Sequence, residues 1–440
     1  MKFQPNLDVL KTLKDKDGGN FSTFSMIASD GIDGVLNLYR CSQIGFPYES
    51  EIIGAAQSFS SRGLAQILSN ENLFHLLDSR QREEIKFALA FPRRCLLSRM
   101  EARSIVRRLW PSSGLRRKCL ELACVDLEAL QKDYQNEMYA LERWLDEQRF
   151  EESAFPRKRL PKLFIGAAMS MFEPQFSSYR TTFTKISCLI ATMDDLFDLP
   201  TSNYEGLCHL RDAFQRWDAS PVENLPQHKA IFKSFQQNLT EIAATARTIQ
   251  GRNVLPYIKE AWQDVLDVFL IEAEWRISRH IPSFEEYLPV AVTSSTAIAS
   301  LSTFILILGM PITDETLRFI GKDSRLLYLA SLASRLTNDV VTSASEEAEG
   351  KLFNAARCHL KDDGNCTRED AVVTVKEMID ASFRELEHEM FRCRGNVPEE
   401  CIRAVLGWVQ AMCISYRKLD GYKSMKDTEY EELVKDYIGS

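Results

Sequence analysis

The sequence predicts an all-α protein, on three observations. The 19 Gly and 15 Pro among 440 residues, about 8%, fall below the roughly 12% of average proteins, so a turn-rich β architecture lacks its punctuation. Apolar residues recur at helical spacing almost throughout the chain. No stretch alternates with the period of two that marks a strand, and no internal repeat is present.

Taken in order, the first clear element is residues 122–149, where Leu122, Val125, Leu127, Leu130, Tyr134, Met138, Leu141 and Leu145 recur at the spacing of an amphipathic helix. The same pattern predicts helices over 178–198, 228–248, 256–279, 315–346, 368–394 and 399–418. A further apolar helix, 287–309, carries Thr293, Ser294, Ser295, Thr296 and Ser300, whose hydroxyls compete for backbone hydrogen bonds and predict an interruption. Breakers separate the elements: Pro156 and Pro161, Pro174, Leu199 to Ser202, Pro221 to Pro226, Pro282, Pro311, Asp363-Gly364-Asn365 and Gly395 to Pro398. The charged run Arg80 to Lys86 and the stretch Pro156 to Pro161 bracket a boundary near residue 120. Residues 1–120 then form a small helical domain and 121–440 a larger one.

Composition narrows function. With 54 Lys and Arg against 62 Asp and Glu, the net charge of −8 lacks the basic surplus of a nucleic-acid binder, so no nucleic-acid partner is expected. A phosphorylated ligand would therefore need locally placed cations. Eleven cysteines, an odd number without a C-x-x-C pair, support neither a disulfide framework nor a zinc site. Six histidines without H-E-x-x-H argue against His-ligated metal. The run from Ala297 to Met310 is interrupted by Ser300, Ser302 and Thr303 and is shorter than the ~20 residues a bilayer takes, which predicts no membrane span. The N-terminal MKFQPNLDVLKTLKDKDGG has acidic residues early and no Arg/Ser-rich character, so no targeting segment is read and the location is cytoplasmic on sequence.

Two clusters carry chemistry. Met193-Asp194-Asp195-Leu196-Phe197-Asp198 places Asp194 and Asp198 at i, i+4, and Asp195 and Asp198 at i, i+3, gathering carboxylates at one helix end. Such like charges repel unless a cation holds them, and Mg²⁺ takes carboxylate oxygens while keeping room for water and phosphate oxygens. A solvated helix terminus is the other reading. Asn338, Thr342 and Glu346 follow at i, i+4 and i+8, drifting about 40° per step, so an amide, a hydroxyl and a carboxylate share one stripe. That stripe reads as a Mg²⁺ ligand set or as a plain polar helix face.

DDLFD followed by N-D-x-x-T-x-x-x-E resembles the two metal motifs of class I terpene synthases. Arg157-Lys158-Arg159 is similar to that family's R-x-R diphosphate-capturing loop, and Glu272-Ala273-Glu274-Trp275 to its E-A-x-W segment. Arg335, three residues before Asn338, resembles its diphosphate-sensing arginine. Tyr416-Arg417-Lys418-Leu419-Asp420-Gly421-Tyr422 is similar to the Y-R-K-x-D-G-[FY] of kaurene synthases. Val35 to Gln43, with Phe46-Pro47 after it, resembles a stretch of plant diterpene synthases. The chain is identified as a plant-type class I terpene synthase, closest to kaurene synthase-like diterpene synthases. It departs from them in two ways. The 120 residues before the catalytic α domain amount to a partial β-type helical domain, and the D-x-D-D of protonation-driven cyclases is absent, since Asp30-Gly31-Ile32-Asp33 does not match it.

The resemblance implies an α-helical bundle in which Asp194 and Asp198 ligate two Mg²⁺ ions and Asn338, Thr342 and Glu346 a third, with Mn²⁺ as a substitute. It implies that Arg157, Arg159 and Arg335 bind diphosphate and that Asp195 holds the surrounding loop. Trp262, Phe164, Phe183, Tyr416 and Tyr422 are expected either to line the pocket or to fill the core. Ser300 stands in Ile298-Ala299-Ser300, where kaurene synthases carry Gly-Pro-Ile, and is expected beside the reacting cation. The implied substrate is geranylgeranyl or a copalyl-type diphosphate, the latter supplied by an upstream class II diterpene cyclase. Farnesyl diphosphate, or a truncated non-catalytic relative, is the alternative. The family also implies a monomer or weak dimer, and a plastid location if the N-terminus is incomplete.

Overall fold

The computed structural model describes residues 23–45, 50–75, 77–110, 113–148, 159–198, 203–348, 353–363, 366–417 and 428–438. Within them every regular element is helical, and the one non-helical pairing is an isolated bridge between Arg394 and Val397. The chain divides into two compact units, Met1–Val125 and Asp126–Ser440.

In the first unit, α1 (Thr23–Cys41) is kinked at Gly31, whose φ of 69° lies outside helical geometry. It is followed by α2 (Ser50–Ser69), the single turn α3 (Glu71–Phe74), α4 (Ser79–Ala90) and α5 (Ser98–Leu109). Asp78 starts α4 with a capping box, accepting from Gln81 N while the Gln81 side chain returns to Asp78 N. Val35, Leu38, Phe59, Leu64, Ile67 and Ile85 form this unit's core.

Helix α6 (Gly114–Gln148) starts eight residues before the periodicity predicts, and the division between the units falls inside it. Of its apolar stripe, Leu130, Tyr134, Met138, Leu141 and Leu145 are buried, whereas Leu122 and Val125 are 71% and 61% exposed. The stripe thus forms core only in its C-terminal half.

The second unit continues with α7 (Leu160–Ser170), α8 (Ser177–Asp198), α9 (Tyr204–Arg216), α10 (Pro226–Gln250) and α11 (Leu255–Ser278). Then come α12 (Phe284–Ser294), α13 (Ala297–Phe304), α14 (Asp314–Ile320), α15 (Arg325–Ala348), α16 (Ala355–Asp362), α17 (Arg368–Cys393), α18 (Glu399–Ser415) and α19 (Thr428–Ile438). Helix α7 packs on α8 and α18, α15 on α13, α17 and α18, and α11 on α9, α12 and α13. The register of α8 is fixed by a buried ion pair. Arg180 donates to both Glu137 oxygens at 2.6 and 2.9 Å and to the Met171 and Glu173 carbonyls at 2.8 and 2.7 Å. An ion pair so fully hydrogen-bonded avoids the desolvation cost of a buried charge left unpaired.

Two predicted helices are divided. The span 315–346 becomes α14 and α15 because the chain turns at Gly321, where any Cβ would lie 2.4 Å from the Leu317 carbonyl oxygen. Ser324 Oγ then accepts from Leu327 N at 3.2 Å to start α15. The span 287–309 breaks at Ser295 and Thr296, the latter in the left-handed region at φ 61°. The run Phe284–Ile307 is apolar and long enough on composition to cross a bilayer, yet 78% of its most apolar window is buried inside the bundle.

Candidate functional site

One cavity of about 270 Å³ opens between α8, α11, α15 and α18 and the α12–α13 break, and six of the sequence-predicted site residues line it. Asp194 and Asp198 line it from the last turn of α8, Arg335 and Asn338 from α15, Arg159 from the residue before α7, and Tyr416 from the end of α18. Its apolar wall includes Phe183 against Trp408, ring centroids 5.1 Å apart, and Phe197 against Phe269 at 5.2 Å.

Helical spacing explains the α8 wall. Asp194 and Asp198, four residues apart, both reach the cavity, while Asp195 does not line it and pairs with Arg159 instead. Asp198 Oδ1 accepts from Arg276 Nη1 at 3.0 Å, and Arg276 Nη2 also donates to the Phe197 carbonyl at the open end of α8.

The α15 wall is built differently. Asp339, next to Asn338 and 1% exposed, points away from the cavity. Its Oδ2 accepts from the Tyr287 hydroxyl at 2.6 Å and from Ala355 N at 2.9 Å, which joins α12, α15 and α16. Tyr287 in turn accepts from Arg335 Nη2 and Nε at 2.8 and 3.2 Å. Arg335 Nε stands 2.9 Å from Asp339 Oδ1 as a charge pair; its N–H is aimed at Tyr287, so Oδ1 takes no hydrogen bond there. Burial, with the Asp339 charge adding to it, holds the Tyr287 hydroxyl far above the usual phenol range, so it stays protonated and fixed as donor.

Thr342 is buried one turn on, its Oγ1 donating to the Asn338 carbonyl at 2.9 Å, and is not part of the lining. Glu346 falls within α15, but its side chain lies outside the described residues, as do Arg157 and Tyr422. Two predicted pocket residues stand behind the wall. Trp262 is fully buried, donating Nε1 to Thr303 Oγ1 at 3.3 Å and packing on Phe235, because its face of α11 meets α10 and α13. Ser300 is fully buried one turn beyond Thr296, which does line the cavity, and its hydroxyl has no hydrogen-bond partner among the described residues.

Sequence reasoning missed four residues here: Arg276, Tyr287, Asp339 and Trp408. It quoted Glu272 for the E-A-x-W likeness without giving it a part. Glu272 lines the cavity one turn before Arg276, a spacing of four that could have flagged both as one face. Burial pushes its carboxyl up to about 7. The charges of Asp194 and Asp198 add to this, while Arg335 and a 2.7 Å bond from Ser294 Oγ oppose it.

Every polar group that the α8 and α15 motifs place on or beside the cavity is a hard oxygen donor or an arginine. The residues fit a Mg²⁺ and diphosphate site.

Residues 146–385 match the model of the terpene synthase family, metal binding domain. The chain is 33% identical to the chloroplastic bifunctional levopimaradiene synthase of Pinus contorta, over 98% of this chain and 52% of that protein. It is 31% identical to the monofunctional pimaradiene synthase of Pinus banksiana, over 99% and 52%. It therefore spans about half the length of these relatives. Abietadiene synthase from Abies grandis superposes with a TM-score of 0.87 at 30% identity, over 98% of this chain and 58% of that one. Isoprene synthase from grey poplar, solved with three Mg²⁺ ions and dimethylallyl-S-thiolodiphosphate, shares the fold at a TM-score of 0.88 and 24% identity, over 100% and 81%.

Proposed function

Because the chain belongs to the terpene synthase family, in its plant-type class I branch, we propose that it ionises a C20 prenyl diphosphate, geranylgeranyl or copalyl-type, releases diphosphate and cyclises the cation to a diterpene. The observation that carries this reading is the facing of Asp194 and Asp198 with Arg335 and Asn338 across one aromatic-walled cavity. The C20 assignment rests on the likeness of Val35 to Gln43 and Tyr416 to Tyr422 to diterpene synthases. In this reading residues 1–120 are a partial β-type domain and 121–440 the catalytic domain. Copalyl-type substrate would come from a class II cyclase, and the chloroplastic relatives favour a plastid.

Asp194 and Asp198 would hold two Mg²⁺ ions and Asn338, Thr342 and Glu346 a third. When bound, these ions neutralise diphosphate charge as the allylic C–O bond breaks. Thr342 Oγ1 donates its proton to the Asn338 carbonyl, a bond compatible with ligation through an oxygen lone pair. Arg335 and Arg159, with Arg157, take diphosphate oxygens in paired N–H···O bonds. Tyr287 and Asp339 hold the Arg335 guanidinium toward that anion. The faces of Phe183, Phe269, Trp408 and Tyr416 enclose the cation and stabilise it by ~0.5 to 2 kcal/mol each.

Incubating the purified protein and Mg²⁺ with farnesyl, geranylgeranyl and copalyl diphosphates separately tests this. Metal-dependent diphosphate release with a cyclic C20 hydrocarbon or alcohol is the expected result. Preference for farnesyl diphosphate would move the reading to a sesquiterpene synthase. No release from any of the three would remove it.

A further inference from the structure

We infer that Arg276 is a further diphosphate-binding residue of this site, stored on Asp198 until metal displaces it. The inference rests on the metal and diphosphate chemistry proposed above.

Arg276 sits in the last turn of α11 and lines the same cavity as Asp194, Asp198 and Arg335. Its Nη1 donates to Asp198 Oδ1 at 3.0 Å, and both side chains are about one-third exposed. An ion on that oxygen and a guanidinium beside it would be like charges a few ångströms apart. A metal that takes Asp198 through this oxygen therefore competes with Arg276 for it. The freed guanidinium remains tethered to α11 at the cavity wall, where a diphosphate offers a planar pair of oxygens that matches its fork. Binding of metal thus converts an arginine that neutralises a carboxylate into one that faces the leaving group. The net effect is coupling: Arg276 opposes metal bound alone and favours metal bound together with diphosphate.

A purely structural role is also on view, since Arg276 Nη2 donates to the Phe197 carbonyl and so closes the end of α8. The two roles predict opposite signs. Titration calorimetry on the whole chain, with Mg²⁺ alone and with inorganic diphosphate at saturating Mg²⁺, separates them.

Arg276→Met should bind Mg²⁺ alone about two- to fivefold more tightly than the unaltered protein, because a competing, partly exposed ion pair is gone. It should bind inorganic diphosphate about tenfold or more weakly, having lost a charge-assisted pair of bonds. Arg276→Lys should keep metal affinity closer to the starting value yet lose most of the diphosphate gain, since an ammonium cannot make the paired contact. Circular dichroism monitors folding, and Arg276→Gln replaces the Met variant if that one unfolds. Mg²⁺ affinity unchanged or weakened in both neutral variants, or diphosphate affinity within about twofold of the starting protein, would overturn the assignment and leave a helix cap. An unaltered protein that binds neither Mg²⁺ nor diphosphate would overturn the proposed function as well, an outcome distinct from failure of the Arg276 step alone.

Discussion

On the α8 side of the cavity the carboxylates are answered by arginines carried on other elements, Arg159 before α7 and Arg276 on α11. On the α15 side the polar groups are answered from within a buried network: Asp339 by Tyr287 and the Ala355 amide, Arg335 by Tyr287, Thr342 by its own helix. The first wall is partly exposed and must exchange partners when ligand arrives. The second is set before ligand arrives. Preorganisation of this kind costs nothing at the moment of reaction, but it makes the wall part of the core. The two walls should therefore fail in different ways when mutated.

The largest effect is expected from the first wall. Asp194→Ala or Asp198→Ala should lower turnover at least about a hundredfold, since each removes a ligand from cations that neutralise the developing diphosphate charge. Both residues are at the edge of the cavity, so the melting temperature should stay within a few degrees. Full activity with unchanged metal dependence in either variant would remove the site.

The second wall should break as structure. Asp339→Ala leaves Arg335 and the Tyr287 hydroxyl without their buried partner and frees the Ala355 amide. Each buried donor left unsatisfied costs roughly 1 to 3 kcal/mol. A large drop in melting temperature is expected along with lost activity. If denaturant unfolding of Asp339→Ala matches the unaltered protein, the two walls do not differ as described.

The contrast also marks what the sequence could reveal. Asp194, Asp198 and Asn338 were legible because helical periodicity decides which residues of one helix share a face, and Arg335 through the likeness of its motif to that of the terpene synthases. Arg276, Tyr287 and Asp339 were not, because their roles are contacts between helices far apart in sequence. Trp262 and Trp408 show the same limit: each lies in an apolar stretch of helix, and only packing puts the first behind the wall and the second on it. Helix α6 adds a third case, since Leu122 and Val125 continue its apolar stripe yet lie exposed. The all-α class was readable throughout, whereas the turn at Gly321 was not, because a lone glycine inside a helical pattern is usually tolerated.

The smallest effect sits just behind the cavity, at the α12–α13 break. Ser300 was expected beside the reacting cation, yet it is fully buried, outside the lining, and its hydroxyl has no partner among the described residues. A buried hydroxyl without a hydrogen bond costs about 1 to 3 kcal/mol of desolvation, so removing it should not destabilise the protein. Ser300→Ala is therefore expected to keep or slightly raise the melting temperature and to leave the product ratio unchanged. Ser300→Ile adds volume in a packed layer, at a cost of about 1 to 3 kcal/mol, and should press Thr296 toward the cavity. Product ratio should then shift through shape while diphosphate release continues, because Arg335 and the α8 carboxylates are untouched. The alanine variant is the discriminating one. A changed product ratio in Ser300→Ala would mean that the hydroxyl itself reaches the cation, and Ser300 would then belong to the wall rather than to the layer behind it.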